Sequence, residues 1–159
     1  MARSTLRRTP GFAVAALVCL LLAGPAAAEE ARAGDILVQG AMSRETAPGM
    51  TTGAAYLTLV NDGNATDRLV AASSPLAHHV MLHAHQVGGD GVARMIEADG
   101  GIELPPGVTV SLQPGGLHLM LMGLVQQLEP GSSLPLTLRF ERAGELSLEV
   151  PVRPMRGGG

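Results

Sequence analysis

Residues 134–152 read LPLTLRFERAGELSLEVPV, and this stretch decides the fold class. Its apolar side chains fall at every second position in two series: Leu134, Leu136, Leu138 and Phe140, then Leu146, Leu148 and Val150. Side chains two residues apart point the same way on a β-strand, so this alternation is typical of strands that bury one face. The stretch therefore predicts two amphipathic strands, Leu134–Phe140 and Leu146–Val152.

The rest of the chain from residue 35 onward shows the same short apolar runs. Seven more of them are candidate strands: Ile36–Met42, Ala55–Asn61, Leu69–Ser73, His79–Ala84, Val92–Ile96, Val108–Leu112 and Leu117–Leu124. Clusters of Gly, Pro, Asn and Asp separate the runs, and short strands with such turns predict an all-β sandwich or barrel. We expect one domain at 35–153, a flexible lead-in at 29–34 and a disordered tail at 154–159.

The first 28 residues have the order of a secretory signal peptide. Arg3, Arg7 and Arg8 give a basic start, an apolar run follows at 12–23, and small residues lead to a cleavage position after Ala28. The apolar run is shorter than the about twenty residues of a membrane span. We therefore expect cleavage, a periplasmic protein and no stable membrane insertion afterwards. The leader fits either Sec or twin-arginine export.

Composition excludes several kinds of chemistry. The single cysteine, Cys19, lies within the leader and lacks the small residue that precedes a lipidated cysteine, and all eleven basic residues are arginine. Without cysteine and lysine, the mature chain cannot use thiol catalysis, zinc–thiolate sites, blue-copper sites of the His₂Cys kind or Schiff bases. Removal of three arginines leaves eight basic against fourteen acidic residues, a formal charge of −6. This balance argues against nucleic acid as a partner.

Histidine and methionine are the informative residues. Four histidines lie within a window of eight positions: His78, His79, His83 and His85. Side chains two residues apart on a strand point the same way. His118, Met120 and Met122 therefore lie on one face of their strand, and His79, Met81, His83 and His85 lie on one face of another. A thioether is a soft, neutral ligand that prefers Cu(I) to zinc or hard cations. The pattern indicates a Cu(I) site, and methionines that merely fill core gaps are the alternative.

Catalytic arrangements have little support. The chain has no G-x-S-x-G elbow, and its glycine-rich segments adjoin candidate strands rather than the helix starts at which phosphate cradles form. Asp and Glu are spread over turns and strand ends, where solvated charge is the simpler explanation. We therefore expect a binding protein and not an enzyme.

The mature region resembles the periplasmic copper chaperones of the PCu(A)C family over about residues 35–152. That family carries the pattern H-x(10)-M-x(21)-H-x-M on a cupredoxin-like Greek-key β-sandwich. The matching stretches are VMLH at 80–83, DGVARM at 90–95 and PGGLHLMLMGL at 114–124. Similarity extends to AAYLTLVN at 54–61 and LPLTLRF at 134–140.

The resemblance implies four Cu(I) ligands and two auxiliary candidates: His83, Met95, His118 and Met120, with Met122 and His85 as the auxiliaries. Eleven residues separate His83 from Met95 and twenty-two separate Met95 from the second histidine, each one more than in the family pattern. Both extra residues fit the glycine-rich turns at 88–91 and 100–107, where insertions are tolerated. If His85 were the first ligand, nine residues would separate it from Met95. The apolar strand context favours His83.

The family's activity implies an extracytoplasmic Cu(I) metallochaperone that carries copper toward the copper centre of cytochrome c oxidase. The implied partners are a subunit of that oxidase or a thioredoxin-like copper protein of the Sco type. The tail at 154–159 lacks histidine. His78, His79 and His85 either bind Cu(II) in its place or are surface histidines without a role. A metal-free secreted β-sandwich with a structural or adhesive role is the alternative from another class, and added copper would leave it unchanged.

Overall fold

A computed structural model of the chain describes residues 30–87, 93–98 and 100–155, with the backbone alone at 85–87 and 93–94. The regular elements in these ranges are strands: β1 (Ala31–Ala33), β2 (Ile36–Arg44), β3 (Thr52–Asn61), β4 (Asp67–Ser73), β5 (Ala77–Val87), β6 (Ala93–Glu97), β7 (Ile102–Leu104), β8 (Thr109–Leu112), β9 (His118–Leu124), β10 (Ser133–Phe140) and β11 (Gly144–Arg153). The signal peptide expected at 1–28 and residues 156–159 of the expected tail lie outside the described residues. Within the described ranges, no helix has the length and hydropathy needed to cross a membrane.

Seven of the strands form a closed ring. Each pairs with the next in the order β2, β11, β10, β4, β5, β9 and β3, and β3 pairs back onto β2. The β2–β11 pair is parallel and the other six pairs are antiparallel. The remaining strands attach at the sides, with β1 on β2, β8 on β3, β7 on β4 and β6 on β5. The all-β fold expected from the alternating sequence is confirmed.

The ring closes around a core made largely of leucine. On β10, the four alternating residues of the opening stretch are at most 3% exposed, whereas Arg139 between them is exposed. On β9, Leu119 and Leu121 are fully buried. Because successive side chains of a strand point to opposite faces, burial of these two leucines turns Met120 and Met122 to the outer face of the sheet. Both methionines are accordingly half-buried.

The segment expected to be a flexible lead-in contains a strand. Ala31–Ala33 forms β1, which pairs with Ile36–Val38 at the start of β2, and Ala33 is buried in the core. Arg32 of this strand lies 2.8 Å from the Asp62 carboxylate. Alanine carries almost no signal for strand formation, so only the tertiary pairing with β2 defines this element.

Two buried polar side chains hold loops to the ring. Asp67 accepts hydrogen bonds from the backbone N–H groups of Arg142 and Ala143, both at 2.9 Å, in the turn between β10 and β11. The Asn61 side-chain amide donates to the carbonyl of Leu104 at 2.8 Å. A buried polar group is costly unless it is hydrogen-bonded, so these contacts fix the positions of the β10–β11 turn and of strand β7.

Candidate metal centre

Strands β5 and β9 bring the two rows of histidine and methionine together. In their antiparallel register three consecutive outward-facing pairs stand directly opposite each other: His83 with His118, Met81 with Met120, and His79 with Met122. Opposed residues of an antiparallel pair have Cβ atoms about 4.5–5.5 Å apart. We call these three pairs the His/Met ladder. All its side chains are imidazoles or thioethers, which are neutral or soft ligands.

The ladder lies on the outer face because the intervening residues fill the core. Leu82 of β5 and Leu119 and Leu121 of β9 are buried. Their neighbours along each strand must then point away from the core. The periodicity of the leucines therefore places the potential ligands on one face of the sheet, where all of them except the buried His118 are at least partly exposed.

The first rung of the ladder joins two histidines. The rings of His83 and His118 have centroids 5.6 Å apart and planes at 85°. His118 is buried, and its Nδ1 lies 3.0 Å from the carbonyl oxygen of Gly116. Because a carbonyl only accepts, Nδ1 of the neutral ring carries the proton and Nε2 carries the lone pair. Metal-binding histidines characteristically donate their other N–H group to such a carbonyl, which fixes the ring.

A methionine from the neighbouring edge strand completes this end of the ladder. Strand β6 pairs with β5 so that Met95 is opposite His85 and Glu97 is opposite His83. The Met95 sulfur reaches diagonally to His83, and its Sδ lies 3.0 Å from His83 Nδ1. Met95 is 49% exposed, so this potential ligand borders solvent.

The structure thus brings together three of the four principal candidates, His83, Met95 and His118. Met120 lies next to them, two residues beyond His118 on the same face of β9. Met122 lies one rung further along the ladder. The side chain of His85 lies outside the described side chains, although its backbone is opposite Met95.

The candidate site suits a soft monovalent ion. Among the side chains that the structure describes, there is no group of three or more His, Cys, Asp or Glu residues placed to hold a metal. Zn(II) prefers thiolate, imidazole and carboxylate ligands, whereas Cu(I) accepts thioethers. The donor set of two imidazoles and two thioethers carries no charge of its own, which fits Cu(I).

The structure places two further residues beside the site: Met81, which the sequence put on the face of His83 but not among the ligand candidates, and Glu97, which sequence reasoning missed. Met81 is opposite Met120 on the second rung, and Glu97 is opposite His83 on the edge strand. The two-residue spacing from Met95 to Glu97 is the signal that could have placed Glu97 on the same face. A groove of about 500 Å³ opens beside the ladder, and Met81 and Glu97 contribute to its wall.

Solved structures similar to this chain define the class of domain. The copper-bound PCuAC domain from PmoF2 is 28% identical, covers 80% of this chain and 99% of its own, and has a TM-score of 0.69. The solution structure of Cu(I)-bound DR1885 from Deinococcus radiodurans is 32% identical, covers 72% of this chain and 75% of its own, and has a TM-score of 0.57. The fold is therefore that of PCuAC domains, in agreement with the resemblance noted in the sequence.

Sequence comparison gives the family. The family model described as "Putative lipoprotein LpqE-like" matches residues 36–152. The protein named "Putative lipoprotein Lxx21020" from Leifsonia xyli subsp. xyli is 37% identical over 126 residues, which is 79% of this chain and 74% of that protein. The chain belongs to the LpqE-like family.

Proposed function

We propose that this protein is an extracytoplasmic Cu(I) metallochaperone that holds its ion with His83, Met95, His118 and Met120. The observation that carries the proposal is the convergence of three strands on one point. The Met95 sulfur lies 3.0 Å from His83 Nδ1, and the His83 and His118 rings are 5.6 Å apart. Two similar solved domains are described as copper-bound, which supports the same cargo here.

The chemistry of the ligands favours carriage over catalysis. Two neutral imidazoles and two thioethers stabilise Cu(I) and offer nothing to a hard cation. The mature chain expected from the sequence has no cysteine, so the intense blue Cu(II)–thiolate centre of electron-transfer cupredoxins cannot form in it. A site of this kind is suited to carrying an ion rather than to catalysing a reaction.

The difference in burial between the ligands suits transfer. His118 is buried and its ring is fixed by the Gly116 carbonyl, whereas Met95 is half exposed at the edge of the sheet. An acceptor's ligands can replace the exposed thioether before the buried imidazole releases the ion. We propose that this acceptor is an exported copper protein, either the copper-bearing subunit of cytochrome c oxidase or a thioredoxin-like protein of the Sco type.

We further propose that the mature protein is released into the periplasm rather than lipidated. The relatives are named as lipoproteins. In this chain Leu17 and Val18 precede Cys19, and neither is the small residue that lipidation of a cysteine requires just before it. Cleavage after Ala28 removes Cys19 altogether.

Anaerobic Cu(I) titration of the mature chain against a chromophoric Cu(I) chelator tests the proposal. We expect tight binding in the parent chain and its loss in a His118→Ala/Met120→Ala variant. His78→Ala is the matched control, because His78 is an exposed histidine of the same strand that has no partner in the ladder. Identical behaviour of the parent chain with and without Cu(I) would favour the metal-free structural module instead.

A further inference from the structure

We infer a second Cu(I) position on the same sheet, formed by His79, Met81 and Met122 at the other end of the His/Met ladder. The proposed copper centre uses His83, His118 and Met120 from the ladder. Its four ligands do not include His79, Met81 or Met122, although Met122 is an auxiliary candidate from the sequence. The second position adds to the proposed function, because it predicts that one chain carries two ions, one at each end of the ladder.

Register places the three side chains together. His79 is directly opposite Met122, and Met81 is two residues from His79 on the same face of β5. Diagonal neighbours across an antiparallel pair are about 7–8 Å apart at the backbone, which long side chains bridge easily. Met81 and Met122 stand in this diagonal relation, so one imidazole and two thioethers can converge on one point.

Burial argues that these methionines are not core fillers. Met81 and Met122 are half-buried and His79 is exposed, while the core side of the same strands is filled by leucine. On β3, the residue opposite Met122 is Thr52, which brings no charge to the rung. The thioethers are therefore accessible from the outer face.

The surroundings favour a monovalent soft cation. The groove of about 500 Å³ beside the ladder is lined by His79, Met81 and Glu97. Glu97 supplies negative charge on this side of the ladder. Among the described residues, it is not part of a group of three or more His, Cys, Asp or Glu residues that could hold a metal. A neutral set of one imidazole and two thioethers binds Cu(I) or Ag(I) far better than Zn(II) or Cu(II).

Ag(I) is the probe for the test, because it is soft and monovalent and needs no reductant. Native mass spectrometry of the mature chain with excess Ag(I) is expected to show two bound ions. We expect one ion in His79→Ala/Met122→Ala, one in His83→Ala and two in the matched control His78→Ala. The variant of the first centre is His83→Ala and not His118→Ala, because the His83 side chain is only half-buried and its removal should leave the chain folded.

Methionine methyl resonances locate the second ion directly. On the second equivalent of Ag(I), the methyl signals of Met81 and Met122 are expected to shift, while those of the isolated, exposed Met50 and Met155 stay in place. Shifts at Met50 or Met155 in place of the ladder would overturn the inference.

The outcomes separate the two proposals. A chain that binds one Ag(I), lost in His83→Ala and kept in His79→Ala/Met122→Ala, overturns the second position and leaves the proposed copper centre intact. The reverse pattern supports the second position and overturns the proposed centre. Absence of bound Ag(I) in the parent chain overturns both.

Discussion

His83 and His118 face each other across β5 and β9 with their ring planes at 85°. The two imidazoles differ in their surroundings. His118 is 6% exposed and donates to the Gly116 carbonyl, whereas His83 is half-buried and contacts the exposed Met95 sulfur. In the proposed site, one histidine is therefore a fixed anchor for an ion, and the other belongs to the accessible side.

The histidines are expected to contribute more to Cu(I) affinity than the thioether on the same strand. His83→Ala or His118→Ala should weaken binding by at least about tenfold, or about 1.4 kcal/mol, and by more than Met120→Ala does, because a flexible thioether loses more rotamer freedom on binding than the fixed His118 ring does. Chelator-competition titration measures the three dissociation constants, and circular dichroism checks that each variant is folded. Equal losses, or a larger loss for Met120→Ala, would contradict this ranking.

Selectivity should favour Cu(I) strongly over Zn(II). The described residues hold no group of three His, Cys, Asp or Glu ligands for zinc, and thioethers bind zinc poorly. Competition calorimetry is expected to show that a large excess of Zn(II) fails to displace Cu(I). Displacement at stoichiometric Zn(II) would mean that the proposed donor set is wrong.

Cu(I) affinity should fall in acid. An imidazole must be neutral to bind a metal and ordinarily gains its proton near pH 6.5, whereas a thioether does not titrate. Protons therefore compete with the ion for the imidazole nitrogens as the pH decreases. Binding is favoured at neutral pH and is weakened in acid. With two histidine ligands, up to two protons compete with each ion, so the dissociation constant should rise by up to about a hundredfold per pH unit in acid. A series of titrations between pH 5 and pH 8 measures the slope, and a flat profile would exclude histidine ligands.

The buried Asp67 should be important for stability and not for copper. Asp67→Ala leaves the part-buried N–H groups of Arg142 and Ala143 without their acceptor, and we expect a loss of about 2 kcal/mol in the free energy of unfolding. The matched control is Asp62→Ala, whose ion pair with Arg32 is about half exposed and should contribute less than about 1 kcal/mol. Urea unfolding compares the two variants. Equal, small losses would show that Asp67 does not fix this turn.

Export should produce a chain that begins at Glu29. Intact-mass measurement of protein recovered from the periplasm is expected to match residues 29–159 without modification. A mass that corresponds to a chain beginning at Cys19 with attached lipid would overturn the proposed cleavage and place the protein on the membrane surface, as the names of its relatives suggest.

Alternation in the sequence was sufficient to predict the strands that build the core. Leu134, Leu136 and Leu138 are buried as the two-residue rule requires. The same rule placed Met120 and Met122 on one face, and the structure shows that it is the outer one. Strand β1 was missed because Ala31 and Ala33 have no strongly apolar or β-branched side chain; pairing with β2, a long-range interaction, defines it.

The site was harder to predict than the fold because its parts meet across strands. The sequence alone shows that His118 and Met120 share a face, but not which residue of β5 stands opposite each of them. That register depends on how the whole ring closes, so the rung from Met81 to Met120 and the position of Glu97 beside His83 became visible only in the structure.

Strand β6 pairs with β5 and is not part of the closed ring. Met95 is consequently the one principal ligand candidate whose backbone can detach without opening the seven-strand ring, since His83, His118 and Met120 all lie on strands within it. An incoming protein that competes for the edge of β5 would displace the Met95 thioether and uncover the ion in a single movement. On the proposed function, docking and unloading would thereby be coupled through one short β-ladder.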